Sequence, residues 1–275
     1  MAAFGYIPRK SPIHRLTGAT KLLLTLALSV AAMITFDTRF LVLVIILSTV
    51  LFSMSRIRLG ELKAVITLLV VFMLLNNLAI YLFAPEQGVL IYGTRNELLR
   101  LTGRYALTSE QLFYQLNVTL KYFAIVPIAL IFFLTTEPGE FASSLNAIGV
   151  NYKVAYAVSL SMRYIPDVQR SYREISQAQQ ARGIDISKKA PLKARLSGTV
   201  TILFPLVFSS IDKIELISNA MELRGFGRMK KRSWYSARPF TKWDGLVIAA
   251  SILCVLLSVL TIVVNGGRFF NPFTH

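Results

Sequence analysis

Long uncharged apolar stretches recur along this chain, at residues 22–36, 40–55, 64–85 and 245–267, with one more inside 111–136 that only Lys121 interrupts. About 20 apolar residues in a helix cross the hydrocarbon core of a bilayer. The third and last stretches meet that length outright. The first two are shorter, and each is predicted to recruit flanking residues such as 17–20, with Lys21 and Arg56 snorkelling to the headgroups.

Between the fourth and fifth stretches the pattern changes. Glu137-Pro138-Gly139-Glu140 breaks the apolar run, and Phe141, Leu145 and Ile148 then recur at helical spacing, which predicts a short surface helix. Residues 152–164 are too apolar for water and too short to span, so they are expected against the bundle or in the interface. Pro166 suits the first turn of a new helix, with Asp167 beside it favouring the positive end of the dipole. That helix is expected to run to Arg182, about 25 Å at 1.5 Å per residue. Val168, Tyr172, Ile175 and Ala178 or Gln179 mark its apolar face, and Arg170, Arg173, Gln177 and Gln180 point elsewhere. A basic turn with Lys188, Lys189, Lys193 and Arg195 surrounds Pro191. Residues 196–211 carry no charge, yet the pattern continues unbroken into Asp212-Lys213-Ile214-Glu215, which predicts one long helix, buried at its start and amphipathic toward its end.

The chain has 275 residues, 54% of them hydrophobic and 16% charged, and its mean hydropathy is +0.56. No single globular core hides that much apolar surface. The expected fold class is an all-α integral membrane protein with about five transmembrane helices plus a cytoplasmic region of long amphipathic helices. Residues 1–136 are read as an N-terminal membrane domain of four spans, 137–244 as the cytoplasmic helical domain, and 245–275 as a final span with a short external tail. The first apolar stretch is read as an uncleaved helix rather than a signal peptide, because further spans follow it.

A net charge of +16 in a soluble chain would suggest nucleic acid. Here the positive-inside rule accounts for it, with anionic lipid of the bilayer as the natural neighbour. Arg9, Lys10, Arg15 and Lys21 precede the first span, and Arg56, Arg58 and Lys63 separate the second from the third. The amino terminus is therefore expected in the cytoplasm. Arg95, Arg100 and Arg104 are offset by Glu86, Glu97 and Glu110, which suits an outer loop, whereas basic residues outnumber acidic ones nearly twofold over 137–244. If 196–211 crossed the membrane, Lys213, Arg224, Arg228, Lys230, Lys231, Arg232, Arg238 and Lys242 would all lie outside; the stretch is read as non-crossing, and the carboxyl terminus as external.

Two segments end alike: Gln177-Ala178-Gln179-Gln180-Ala181-Arg182-Gly183-Ile184 and Asn219-Ala220-Met221-Glu222-Leu223-Arg224-Gly225-Phe226. Each closes a run of helix formers with an arginine suited to the negative helix end and a glycine free to turn left-handed. Two ordinary helix ends would look similar, but the matching register favours one device used twice. Ala178, Ala181 and Ala220 lack bulk, so a partner's groove can approach the helix closely. Arg182 and Arg224 offer rigid charged forks for carboxylates or helix-end carbonyls, and Gly183 and Gly225 let the chain leave without filling the groove. Two such tips imply two docking surfaces, on a dimer or pseudodimer.

These residues resemble the paired Ala-Arg-Gly motifs of the transmembrane coupling subunit of energy-coupling factor (ECF) transporters, EcfT, which import vitamins and similar micronutrients in prokaryotes. The first motif matches at Ala178, Ala181, Arg182 and Gly183; the second has Leu223 before Arg224. The resemblance covers most of the chain. It implies a multi-pass protein of the prokaryotic plasma membrane, with each tip seated in one of two ABC-type ATPase subunits, a homo- or heterodimer. It also implies a separate membrane-embedded substrate-binding subunit, the S subunit, and it makes the long helices coupling helices.

No Gly-x-x-x-x-Gly-Lys-Ser/Thr loop occurs, so any ATP is hydrolysed by a partner and the chain is not expected to be an enzyme. An intramembrane lipid-modifying enzyme would need clustered carboxylates or histidines. His14 and His275 stand isolated, and Cys254 has no second cysteine, so neither cofactor nor metal is expected. A conventional importer would draw on Asn76, Asn77 and Lys121 as polar groups in its path, although helix packing explains the asparagines equally well. Within the family, the near alternative is a dedicated cobalt or nickel permease subunit of the CbiQ type.

Overall fold

The computed structural model describes residues 6, 9–102, 105–184, 191–229, 233–235 and 237–273. The expected contributions of Arg104, Lys188, Lys189, Lys230, Lys231, Arg232 and His275 lie outside the described residues. Two compact units divide the chain, Met1–Glu140 with Arg238–His275, and Phe141–Ala237.

The first unit is a helical bundle. After a short α1 (Pro12–Arg15), it contains α2 (Gly18–Ile34), α3 (Thr38–Ser55), α4 (Lys63–Phe83, led in by a 3-10 turn from Leu59), α5 (Gln87–Tyr92), α6 (Ser109–Thr135) and α10 (Lys242–Val264). Among the described residues, four helices are long and apolar enough to cross a membrane: Thr38–Ser55, Gly60–Phe83, Ser109–Thr135 and Lys242–Val264, with Gly18–Ile34 as a shorter apolar helix. The chain is an all-α membrane protein, with one small hairpin among the described residues. Its core gathers Leu24, Leu28, Ala31 and Ala32 of α2, Phe40, Leu41 and Val44 of α3, Ala124 and Ile128 of α6, and Cys254 of α10. Small buried side chains let these helices approach closely where lipid supplies no hydrophobic drive between them. Ser48, Ser251 and Ser258 are buried among them, and each hydroxyl donates to a carbonyl of its own helix. Asn77 of α4 donates to Thr119 of α6 at 3.1 Å, and Gln115 returns a bond to the Asn77 carbonyl. That is helix packing, not a polar path.

Lys21 does not snorkel. It is 2% exposed, and its ammonium donates to the Thr135 carbonyl at 2.9 Å and faces the Glu140 carboxylate at 3.5 Å. The expectation fails because the end of α6 leaves a free carbonyl beside a buried acid, and together they replace the hydration that headgroups would have supplied. Arg238 also approaches Glu140, at 3.7 Å, and donates to the His14 carbonyl. Nearby, Asp244 closes a capping box with Thr241 at the start of α10 and accepts from the backbone and hydroxyl of Thr17, which caps α2. At the other end of α2, Lys121 donates to the Met33 carbonyl, and the strand-like contact of Phe36 with Phe269 folds the tail back onto the bundle. The tail is packed, with Phe273 and Phe269 against Tyr92.

The loop before α6 holds a hairpin that the charge pattern did not reveal, β1 (Glu97–Thr102) antiparallel to β2 (Tyr105–Thr108). Buried Glu110 organises its base by accepting bonds from Thr94, Ser109 and the backbone and side chain of Asn96. Gly88 is obligatory there, because a Cβ would overlap the backbone of Glu110 and Gln111.

The second unit contains most of α7 (Pro138–Ala147, which starts in the first unit), then α8 (Tyr152–Ala181) and α9 (Leu192–Leu223). The expected helix start at Pro166 is corrected: α8 is one helix of 30 residues with Pro166 inside it. A proline in mid-helix forfeits one backbone bond and crowds the preceding turn, but the α9 segment packs on both sides of it, through Phe226 on Tyr152 and Tyr156 before the proline and Lys213 on Asp167 after it. Asp167 accordingly faces Lys213 at 2.9 Å instead of serving a helix start. On the apolar face Ile175 is half-buried and Gln179 is buried, while Val168, Tyr172 and Ala178 are exposed. The long helix expected across 196–211 is continuous. Its start is not buried by the chain itself: Leu192 and Leu196 are 74% and 68% exposed, and in α9 only Gly198 and Ile202 are buried.

Candidate functional site

Both paired segments end their helices in the same way. Arg182 is the residue at which α8 closes, Gly183 turns left-handed at φ +88°, its N–H donates to the Gln180 carbonyl, and the Ile184 N–H reaches back to Gln179. At the second end Arg224 closes α9, Gly225 turns at φ +67°, its N–H donates to Glu222, and the Phe226 N–H reaches back to Met221. These bonds satisfy the last carbonyls of each helix. The same bonding also closes α7 at Gly149 and α10 at Gly266, so the turn alone is ordinary. What sets two of the four apart is an arginine at the closing position, following helix surfaces that carry alanines.

Ala178, Ala181, Arg182 and Gly183 are all exposed, and so are Ala220 and Arg224, with Gly225 half-buried. Leu223, which stands where the first segment has Ala181, is 90% exposed.

The two tips are not side by side. Tyr152 and Tyr156 at the start of α8 pack on Phe226 just past the end of α9, with ring centres at 5.8 and 4.8 Å, and Asp167 meets Lys213 in mid-helix. The helices are therefore antiparallel. From that ion pair, Arg182 is about 22 Å along one helix and Arg224 about 16 Å along the other, in opposite directions, at 1.5 Å per residue. This antiparallel pair thus presents two separated arginine tips. Trp234 adds to the clamp on the second tip, lying against Tyr156 and donating from its indole to Asn146 at 3.0 Å. Sequence reasoning missed this aromatic clamp and the Lys21, Glu140 and Arg238 cluster. The clamp left no periodic signal, whereas the cluster left one: Lys21 is the only charge within residues 17–36. Among the described residues, no group of three or more His, Cys, Asp or Glu side chains is placed to hold a metal ion.

The family model CbiQ, described as cobalt transport protein, matches residues 9–234. Among curated relatives, the energy-coupling factor transporter transmembrane protein EcfT of Exiguobacterium sibiricum is 28% identical over 210 residues, 72% of this chain and 74% of that protein. The protein of the same name from Bacillus subtilis is 23% identical across 92% of this chain and 94% of its own length, and that of Lactococcus lactis subsp. cremoris 26% identical across 93% and 95%. Both tips and all but the last of the membrane-spanning helices fall inside the matched region. The chain is a multi-pass membrane protein and belongs to the CbiQ family.

Proposed function

We propose that this chain is the transmembrane coupling subunit of an ECF importer. In this reading Arg182 and Arg224, with Ala178, Ala181, Gly183, Ala220 and Gly225, dock into two ABC-type ATPase subunits, and residues 137–244 form the cytoplasmic coupling domain between two membrane segments. The amino terminus lies in the cytoplasm and the carboxyl terminus outside. The observation that carries it is the antiparallel crossing of α8 and α9, which presents two like arginine tips at opposite ends and so suits the two halves of an ATPase dimer. The relatives' shared name supports the same reading.

ATP binding would draw the two ATPases together and press on both tips at once. A pair crossed at Asp167 and Lys213 converts that closure into a scissoring motion. The exposed apolar residues of α9, including Leu196, Phe204 and Phe208, then form the surface that moves a separate membrane-embedded substrate-binding subunit. Hydrolysis belongs to the ATPases, and the cargo is selected by the binding subunit.

The test is co-purification of the ATPases with Arg182→Glu, Arg224→Glu and the double variant. Each charge reversal is expected to weaken retention, and the double variant to abolish it, while the protein stays in the membrane at normal level. Full retention with normal transport in the double variant refutes docking. A second reading, a dedicated cobalt or nickel subunit, draws on the description of the matching family. A varied set of co-purified binding subunits supports the shared vitamin system, and one fixed metal binder supports the other.

A further inference from the structure

An apolar groove of about 260 Å³ runs between α3, α4 and α6, lined by Phe52, Ile66, Met73, Phe123, Pro127 and Leu130 among others. It exists because α4 stands off from the bundle. No residue of α4 is buried, and its main neighbours are the 3-10 turn and α6. One end of the groove is closed by the α3–α4 connection, where Ile57 and Leu62 turn inward and are buried with Leu134. The basic residues around them turn outward. Arg56 adopts the left-handed conformation at φ +58° as α3 ends, and Arg56, Arg58 and Lys63 are all exposed. The one acid in this connection, Glu61, is already engaged by Arg9, which also donates to the Arg56 carbonyl. Among the described residues no carboxylate lies in salt-bridge range of Arg56, Arg58 or Lys63. Lys63 sits one turn before Ile66, at the edge of the α4 face that lines the groove.

We propose that this groove is a binding site for an anionic phospholipid, with an acyl chain along α3, α4 and α6 and the phosphate held by Arg56, Arg58 and Lys63. The lining decides between a lipid and another helix. Helices pack closely in membranes through Gly, Ala and Ser, and none of these lines the groove, whose smallest side chains are Thr49 and Pro127. A flexible hydrocarbon chain fits between large aliphatic and aromatic side chains where a rigid helix does not. Three cations at the end of an apolar slot are the complement of a phosphate attached to an acyl chain, and each basic residue near a lipid surface favours anionic headgroups.

The site is tested by native mass spectrometry of the full chain released from nanodiscs containing equal phosphatidylglycerol and phosphatidylcholine. The unaltered protein is expected to retain phosphatidylglycerol in preference. Neutralising Arg56, Arg58 and Lys63 to glutamine should reduce the preference by about fivefold per charge, whereas Arg58→Lys should keep it. Val70→Trp, which fills the groove from α4, should reduce lipid retention with the basic residues intact. Circular dichroism and a monodisperse elution profile establish that each variant is folded. Equal retention of both lipids by the unaltered protein, a preference that survives the triple variant, or unchanged lipid in Val70→Trp overturns the assignment. Photocrosslinking from position 70 to another membrane protein instead of lipid does so too.

Discussion

Lys21 and Glu140 form an ion pair at 3.5 Å with side chains only 2% and 3% exposed, joining the first turn of α2 to the first turn of α7. Glu140 is the last residue of this segment of the first unit and lies in the first turn of α7, so the pair anchors the start of that helix to α2. Breaking a buried pair by removing one partner strands the other, at about 3–5 kcal/mol. Glu140→Ala and Lys21→Ala are each expected to lower thermal stability in detergent by that order. A Lys21→Met/Glu140→Met double variant should recover most of the loss, because desolvation offsets much of the Coulomb gain of such a pair. Arg238 is left behind in the double variant, but it is 40% exposed and keeps the His14 carbonyl. A double-mutant cycle by thermal unfolding measures the coupling directly. Additive losses would show that the pair does not act as a unit.

Alkaline stability provides a check on the end of the first unit where α5 and the tail pack together. Tyr92 ends α5, is 3% exposed, and packs on Phe113, Phe269 and Phe273. Burial pushes its phenol up from 10 to about 12. The neutral form is thus preferred in the folded protein. Stability from this group is complete below pH 10 and declines as the pH rises toward 12, because only the unfolded chain ionises readily there. The slope is about 1.4 kcal/mol per pH unit across that window. Tyr92→Phe should show a shallower decline between pH 10 and 12 than the unaltered protein, with little difference at pH 8. Parallel curves for the two proteins would mean that Tyr92 does not contribute to the alkaline transition.

Much of this architecture was legible because the bilayer imposes length and polarity on each span: the five apolar stretches reappear as α2, α3, α4, α6 and α10. The arginine and glycine ends were equally plain, since a left-handed glycine after a helix is a local signal. Failures occurred where contacts between distant residues decide. Pro166 reads as a helix start from its neighbours alone, whereas α8 passes through it with α9 packed alongside. Lys21 reads as a snorkelling residue until Thr135 and Glu140, more than 100 residues away, are brought beside it. The hairpin at Glu97–Thr108 was hidden because charge balance assigns a side of the membrane and says nothing of strand pairing.

The aromatic clamp makes the two tips unequal, and that inequality is measurable. Phe226, two residues past Arg224, is packed on Tyr152 and Tyr156, and Tyr156 in turn on Trp234. No aromatic contact of this kind is present at Arg182 among the described residues. Aromatic pairs contribute about 0.5–1.5 kcal/mol beyond the area they bury. Phe226→Ala therefore removes the support of one tip without touching its arginine. Amide exchange over residues 221–228 should accelerate, by roughly tenfold if about 1.4 kcal/mol of local stability is lost, while residues 179–184 exchange as before. Under the proposed docking, the same variant should weaken one ATPase contact and spare the other, so the complex should lose affinity less than in Arg224→Glu. Equal acceleration at both tips would mean that the clamp stabilises the whole α8–α9 pair, and that the second tip is not separately held.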